Sequence, residues 1–205
     1  MSEPLTTPTP AYLAEGPRVG IRPFRRGDAE EFVARTRESR ALHGPWLTPP
    51  ETVEAFRGYA GALVQSPSRA GFLVCTRDDG AIAGFVNINN IVEGAFQCGA
   101  LGYGAFAHAA GRGLMAEGLD LVMRHAFGRL GLHRLEANIQ PGNEASLALV
   151  RRAGFRYEGY SPDFLFIAGA WRDHERWAIT APEYRPQKPL RARESEPQHD
   201  PHDRT

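Results

Sequence analysis

The sequence predicts an α+β fold in which helices flank a mixed, largely antiparallel sheet. Two observations carry this prediction. Several short runs with strand character follow one another in the first half of the chain, separated by turn signals such as Asp78-Asp79-Gly80. Further along, residues 113–130 repeat apolar side chains at helical spacing, and strand-like runs then alternate with a second, shorter helix.

The elements of the first half follow from local signals. Residues 19–24 alternate enough for a first strand, and a helix begins at Asp28, which forms a capping box with Glu31. A loop punctuated by prolines, residues 43–50, leads into a second helix over residues 53–64. Three further strands are expected in consecutive antiparallel order, over residues 72–76, 81–89 and 96–103.

The second half contains two helices and three strands. Gly131 ends the long helix, and residues 132–139 form a strand. Asn143 is expected to cap a shorter helix that runs to residue 153, and Gly154 is expected to adopt the left-handed conformation that follows a helix end. Residues 164–167 and 175–180 supply the closing strands.

Composition limits the class of protein. A chain of 205 residues that is 42% hydrophobic can bury one substantial core, so we expect one domain over residues 17–185. Residues 1–16 are predicted to be a flexible leader and residues 186–205 a disordered tail, because both are rich in proline or charge. The formal net charge of +0 gives no basic footprint for nucleic acid, so no direct nucleic-acid binding is expected.

The location of the protein and the state of its thiols are also predicted. No apolar run approaches the ~18 residues of a membrane span, and a signal pattern is missing, so we expect a cytoplasmic protein without membrane contact. Cys75 and Cys98 lie in separate strand-like runs and are interpreted as reduced core thiols. The scattered histidines give no metal-ligand spacing, so no metal is expected.

The most informative segment is the turn Ala-Ala-Gly-Arg-Gly-Leu-Met at residues 109–115. It follows a strand-like run and opens the long helix, so its backbone N–H groups lack intrahelical partners and lie at the positive end of the helix dipole. Gly111 and Gly113 leave room for a phosphate or pyrophosphate to approach the main chain. Plain turn chemistry is the alternative for a Gly-x-Gly pair considered alone.

The motifs downstream support a family resemblance. The order of glycine turn, helix, strand, Asn143-x-x-Ser146 helix and Gly154-Phe155 strand resembles the acetyl-CoA-binding half of the GNAT acetyltransferases. Within that superfamily, Pro45-Trp46, the glycine turn and residues 159–174 resemble the bacterial ribosomal-protein-alanine N-acetyltransferases. The resemblance spans roughly residues 17–184, so the domain over residues 17–185 is expected to be an N-acetyltransferase domain.

The resemblance implies the position of the co-substrate acetyl-CoA. In this family the fourth and fifth strands, here residues 96–103 and 132–139, splay apart, and the acyl thioester lies between them. The main chain of the turn would hold the pyrophosphate, and these residues are Gly111, Arg112, Gly113, Leu114 and Met115. The family's backbone donor to the developing oxyanion maps near Leu101 or Gly102, where an ordinary ladder hydrogen bond is equally open.

Ser146 is the main catalytic candidate. Many GNAT enzymes protonate the leaving thiolate with a tyrosine four residues before the glycine of the Gly-Phe pair, but Val150 occupies that position. The resemblance therefore assigns this duty to Ser146, and a local helix cap is the structural alternative. Asn143 is expected to cap its helix and also to bind the pantetheine arm.

The general base is left open among several groups. Glu136 lies on the strand where related enzymes place a base, and a solvent-facing glutamate on a half-buried strand is the alternative. Asp163 and His174 lie in the segments that match the ribosomal-protein branch, and a water relay is the remaining choice.

The acceptor is predicted to be the α-amine of a protein N-terminus. An α-amine has a pKa near ~7.7 to 8.0 and lysine one near ~10.4, so the α-amine is easier to deprotonate at neutral pH. Small amines and a non-catalytic acetyl-CoA-binding role are the alternatives, and monomer or homodimer is left open. Trp46, Asp163 and Phe164 are expected to contact the acceptor. Phe96 is a further candidate pocket wall, and core packing is the more common fate of Phe96 and Phe164.

Overall fold

The computed structural model describes residues 12–186, which form one eight-stranded sheet flanked by helices. The strand order is β1-β2-β3-β4-β5-β6-β8-β7, and the β5–β6 pair is parallel while the other neighbouring pairs are antiparallel. The predicted fold class is confirmed. The strands are β1 (Ala14–Glu15), β2 (Val19–Arg22), β3 (Ala70–Thr76), β4 (Ile82–Val92), β5 (Cys98–Ala105), β6 (Arg134–Ile139), β7 (Arg156–Ile167) and β8 (Ala170–Thr180).

Helices cover both faces of the sheet. The two apolar faces of β3 follow from the alternation of strand side chains. Phe72 and Val74 pack in the core cluster that contains α4, whereas Leu73 and Cys75 pack with α1 and α3. The helices are α1 (Ala29–Glu38), α2 (Arg40–His43), α3 (Val53–Gln65), α4 (Leu114–Gly128) and α5 (Glu144–Arg152).

The sheet opens between β5 and β6. Their parallel pairing runs from Cys98 opposite Arg134 to Leu101 opposite Ala137, and the strands then diverge. These are the strands predicted as fourth and fifth, renumbered because β1 adds a strand at the N-terminal side. The predicted splay therefore lies beyond Leu101, between the end of β5 and the end of β6.

The predicted capping box at α1 is wrong. Asp28 instead accepts hydrogen bonds from the buried Arg22 guanidinium at 2.8 and 2.9 Å and from the Arg25 backbone N–H. Glu31 reaches away from its helix and accepts from the Ile82 backbone N–H at 2.8 Å. A buried guanidinium requires a carboxylate partner, and this requirement outweighs a helix cap at Asp28.

The closing hairpin is longer than predicted. β7 and β8 extend from Arg156 to Thr180 with a short turn, and their register shifts between Ser161 and Leu165. The predicted segments covered only the C-terminal parts of these strands, because residues 156–163 of β7 are mostly polar and exposed and include Gly159 and Pro162, which are uncommon within strands. The two cysteines, Cys75 and Cys98, are free and buried, as predicted.

The folded domain begins earlier than residue 17. Ala14 and Glu15 pair with Ile21 and Gly20 of β2, so part of the predicted leader belongs to the sheet. The rest of the leader, residues 1–11, lies outside the described residues, as does the predicted tail beyond Pro186. Among residues 12–186, no helix is long and apolar enough to span a membrane.

Candidate active site

The glycine turn has an open, left-handed backbone. Gly111 and Gly113 have φ angles of 73° and 74°, and α4 begins directly after them at Leu114. A Cβ built on Gly111 would meet no protein atom within 4 Å, and both glycines line a cavity, so this side of the turn is free for a ligand. The first N–H groups of α4 point out of the helix there, as an anion site requires.

Arg18 holds the turn from behind. Its guanidinium donates to the backbone carbonyl of Arg112 at 2.9 Å and to that of Gly113 at 3.2 Å. Glu117 orients Arg18, since its Oε2 accepts from Arg18 Nε at 2.9 Å. Because both turn carbonyls are engaged on this side, the N–H groups stay directed to the open side. The sequence analysis missed Arg18, because it lies more than 90 residues from the turn along the chain.

Two cavities meet at the open end of the sheet. The turn cavity, of about 320 Å³, lies beside Gly111 and Gly113, and the hairpin cavity, of about 580 Å³, lies between the splayed strands and the β7–β8 hairpin. Both are lined by the same five residues, which we call the junction. The junction consists of Trp46, Leu47, Tyr103, Asn143 and Ser146.

The turn residues take different places around the turn cavity. Gly111, Gly113 and Met115 line it, as does Arg152 of α5, which adds a cation that the sequence analysis missed. Leu114 is buried in the core. Arg112 is exposed, and its carbonyl is held by Arg18. The side chains of Arg112 and Leu114 therefore do not line this cavity.

Asn143 and Ser146 have separate tasks at the start of α5. Asn143 Oδ1 accepts from the Ser146 backbone N–H at 3.2 Å, which confirms the predicted cap. The Ser146 hydroxyl is therefore not needed as the cap, and it lies at the junction. Val150, at the position of the family's usual tyrosine, is completely buried.

The backbone of β5 beyond Leu101 faces the opening in the sheet. Phe106 N–H donates to the Ala83 carbonyl, so alternate residues of β5, including Gly102, direct their backbone groups to β4. Leu101 is the last β5 residue paired with β6, and Tyr103 is the next residue whose N–H points to the opening. Of the two predicted oxyanion positions, Leu101 borders the opening, whereas the Gly102 backbone faces the ladder with Asn87.

Tyr103 also places its hydroxyl at the junction. The hydroxyl is shielded from solvent and has no hydrogen-bond partner within residues 12–186. Burial raises the pKa of Tyr103 to about 12, and the Ser146 hydroxyl that faces it partly opposes this rise. Tyr103 could not be predicted as a hydroxyl acid from sequence, because it lies on a strand and not at the family's hydroxyl position on α5.

Glu136 is engaged by two arginines. Its Oε1 accepts from Arg134 Nε at 2.9 Å, and its Oε2 accepts from Arg176 at 3.1 Å. Glu136 lines the hairpin cavity with its side chain largely shielded from solvent. Both carboxylate oxygens already accept charged hydrogen bonds, which reduces their availability to an incoming amine. Its assignment as general base stays a prediction.

His174 lines the same cavity and has one free nitrogen. Nδ1 lies 2.9 Å from the Arg172 carbonyl oxygen, which can only accept, so Nδ1 carries the proton and Nε2 is the acceptor. Nε2 makes no hydrogen bond within the described part of the chain. His174 is only 1% exposed, and burial lowers its pKa, so the ring is neutral at pH 7.

The structure places some of the predicted acceptor residues at the cavities and others outside them. Trp46 lies at the junction, and Phe164 lines the hairpin cavity, with Arg176 stacked 4.5 Å from its ring centre and His174 at its edge. Asp163 is exposed outside both cavity walls, and its backbone N–H donates to Asp173 at 2.9 Å. Phe96 is 56% exposed and lines the hairpin cavity, so it is a wall residue and not a core residue.

These features together define a class of protein. A sheet opened between two parallel strands, a phosphate-type turn on one side and an acceptor-sized cavity on the other fit a transferase that moves an acyl group from coenzyme A. Residues 18–156 match the family model described as acetyltransferase (GNAT) domain. The chain belongs to the GNAT acetyltransferase family.

Individual relatives within this family are similar to the chain over most of its length. The chain is 40% identical over 176 residues to the [ribosomal protein uS5]-alanine N-acetyltransferase of Escherichia coli, covering 82% of this chain and 91% of the relative. Mycobacterium smegmatis RimJ, solved in complex with CoA-disulfide, has a TM-score of 0.74 and 30% identity, covering 80% of this chain and 83% of its own. The ribosomal-protein-S5-alanine acetyltransferase of Vibrio fischeri gives 0.74 and 26%, covering 84% and 98%.

Proposed function

We propose that this acetyltransferase uses acetyl-CoA to modify the N-terminal α-amine of a protein, with a ribosomal protein as the favoured acceptor. The observation that carries the proposal is the junction, where a cavity beside a phosphate-type turn meets a second cavity at Ser146. The 40% identical relative from Escherichia coli is named for alanine acetylation of a ribosomal protein, which supports the choice of acceptor. Such an acceptor is made in the cytoplasm, and we place the protein there.

The residues of the turn cavity fit coenzyme A. The backbone N–H groups after Gly111 and Gly113 would hold the pyrophosphate, with Arg112 and Arg152 supplying positive charge nearby. Asn143, at the junction, would contact the pantetheine arm. Acetyl-CoA supplies the activated acetyl thioester, and no metal is required for its transfer.

The junction and the hairpin cavity supply the proton transfers. His174 Nε2 would take the proton from the acceptor ammonium, leaving a neutral amine that forms the new C–N bond. Ser146 would donate its hydroxyl proton to the sulfur as the C–S bond breaks. An α-amine has a pKa near ~7.7 to 8.0, against ~10.4 for lysine, so a base of modest strength such as neutral histidine is sufficient.

The wall of the hairpin cavity favours a polypeptide over a polyamine. Glu136 is the only acidic residue among the described residues that line this cavity, and Arg134 and Arg176 neutralise it. A polycation would find no free carboxylate there. The outer wall is apolar instead, with Phe96 56% exposed and Phe166 63% exposed, which suits the residues that follow an acetylated N-terminus.

A thiol-release assay with acetyl-CoA tests the proposal. The acceptors would be peptides beginning with Ala, the same peptides with a blocked α-amine and an internal lysine, and spermidine. We expect release with the free Ala peptides and none above background with the blocked peptides. Faster turnover of spermidine would overturn the choice of acceptor. Absence of thiol release with every amine tested would favour a non-catalytic acetyl-CoA-binding protein.

A further inference from the structure

Tyr103 carries an unexplained polar group. Its hydroxyl is buried and makes no hydrogen bond of ordinary geometry within the described residues, although the Ser146 side chain is close enough to oppose the rise of its pKa on burial. A buried hydroxyl without a close partner destabilises a protein, so its presence in a ligand cavity indicates a hydrogen bond that closes when the ligand binds. Tyr59, a second buried tyrosine, shows the ordinary arrangement, since its hydroxyl accepts a hydrogen bond from the Asn87 side chain.

Ser146 is the polar side chain that faces this hydroxyl. Both residues line the turn cavity and the hairpin cavity, so the hydroxyls lie where the two cavities meet. A serine hydroxyl carries one proton and can accept two hydrogen bonds. Because Asn143 provides the helix cap, nothing in the described chain fixes the direction of the Ser146 proton.

We propose that Tyr103 is a positioning residue for Ser146. The Tyr103 O–H donates to Ser146 Oγ when the substrates are bound, and this leaves the Ser146 proton directed at the sulfur. In the transfer, the amine nitrogen bonds to the acetyl carbon, the C–S bond breaks with its electron pair on sulfur, and sulfur takes the Ser146 proton. The serine oxygen, stabilised by the Tyr103 hydrogen bond, regains a proton through the open cavity as the new amide nitrogen releases its second proton to solvent, so the protons balance. This inference rests on the proposed function.

The environment keeps Tyr103 in the donating form. Burial raises the pKa of Tyr103 to about 12, so the phenol stays protonated at every pH where the α-amine reacts. A phenol in this state serves as a fixed hydrogen-bond donor and does not need to lose its own proton. The proposal therefore expects no ionisation of Tyr103 in the pH profile of the enzyme.

Tyr103→Phe tests the proposal, with Tyr59→Phe as the matched control. For Tyr103→Phe we expect an unchanged or higher Tm of the free protein, because no hydrogen bond is lost, and a smaller rise of Tm on adding CoA than in the wild type. Turnover at saturating substrates should fall about 10-fold, with KM for acetyl-CoA within a few-fold. Tyr59→Phe should lower Tm by about 2–4 °C and leave kcat unchanged.

A double-mutant cycle with Ser146→Ala separates positioning from independent action. If Tyr103 acts through Ser146, adding Tyr103→Phe to Ser146→Ala should lower kcat by less than 2-fold further. If the double variant instead loses kcat by the product of the two single losses, the proposal is overturned. It is also overturned if Tyr103→Phe keeps the wild-type kcat, or if its Tm falls as much as that of Tyr59→Phe. An inactive wild type would instead contradict the proposed function. The Tm values of the free and CoA-bound variants would still test whether the Tyr103 hydroxyl gains a hydrogen bond when CoA binds.

Discussion

Arg18 Nε lies 2.9 Å from Glu117 Oε2, and this ion pair joins the start of β2 to the first turn of α4. Glu117 Oε1 also accepts the backbone N–H groups of Arg18 and Val19, at 2.7 and 3.1 Å. The Arg18 guanidinium reaches past Glu117 to the carbonyls of the glycine turn. One carboxylate therefore fixes an arginine that in turn fixes the conformation of the turn.

Replacing Arg18 should weaken coenzyme A binding. In Arg18→Ala the Arg112 carbonyl loses its Arg18 donor and the Gly113 carbonyl keeps only the Glu117 backbone N–H, so the turn can leave the conformation that directs its N–H groups to the ligand. We expect the Kd for CoA to rise about 10-fold, which corresponds to about 1.4 kcal/mol, measured by calorimetry. Arg77→Ala is the control, because Arg77 pairs with Glu15 nearby but does not contact the turn. Equal CoA affinity in the two variants would disprove this role of Arg18.

A side chain at Gly113 should also weaken coenzyme A binding. In Gly113→Val the branched side chain would occupy the open side of the turn and strain a backbone with φ of 74°. We expect the Kd for CoA to rise at least ~10-fold.

Gly80→Val provides the control for that strain. Gly80 lies in the β3–β4 hairpin with the same φ of 74°, and a Cβ built on it would meet no atom within 4 Å. Both variants should lose stability by about 1–3 kcal/mol. Only Gly113→Val should lose CoA affinity, and an unchanged affinity in folded Gly113→Val would show that the pyrophosphate lies elsewhere.

The glycine turn and the α5 cap were predictable because their signals are local. A Gly-x-Gly pair before a helix and an Asn at an N-cap act within three or four residues, and both are present in the structure as predicted. The consecutive antiparallel order of β3, β4 and β5 followed from turns and apolar runs, whereas the place of β8 between β6 and β7 was not predicted. The Asp28 capping box failed for the opposite reason, since the partner that decides its side chain is the distant and buried Arg22.

The functional residues that sequence reasoning missed depend on tertiary contacts. Arg18 is one of many arginines until folding brings it to the glycine turn. Tyr103 lies in an ordinary strand, and its importance comes from a hydroxyl that the splayed sheet leaves without a partner. A periodic pattern shows which face of a strand is buried, but not which buried hydroxyl lacks a partner.

Ser146→Ala should separate catalysis from helix stability. Because Asn143 already caps α5, we expect Ser146→Ala to keep the wild-type Tm and to lower kcat by roughly 10²-fold, since general-acid help contributes ~10² to 10⁴. Asn143→Ala should instead lose about 1 kcal/mol of stability through the lost cap. Both quantities should be measured on the same preparation. Wild-type turnover in Ser146→Ala would remove Ser146 from the mechanism.

The general base can be identified with two matched variants. His174→Gln should lower kcat by roughly 10²-fold or more and flatten the acidic limb of the pH profile of kcat/KM. Burial lowers the pKa of His174, so in the wild type this limb lies below about 6.5. Glu136→Gln should keep kcat within a few-fold and lose about 1 kcal/mol of stability, because it weakens the pairs with Arg134 and Arg176. The reverse result would assign the base to Glu136.

Folding stability should decrease as the pH falls from 7.5 to 5. Burial lowers the pKa values of four described histidines, so below about 6.5 the unfolded chain binds protons that the folded protein resists. The contribution of these histidines to folding stability is complete above about pH 6.5 and is lost as the pH falls toward their lowered pKa values in the folded protein. The histidines are His43, His108, His125 and His174.

Carboxylates do not account for a loss in this range. Glu158 and Glu183 have pKa values lowered by hydrogen bonds, with Glu183 at about 2, so their contributions are lost only below about 4.5. Urea unfolding should therefore show a lower midpoint at pH 5 than at pH 7.5, and His174→Gln should reduce the difference. Midpoints that stay equal across this range, or that rise as the pH falls, would show that the buried rings are protonated in the folded protein.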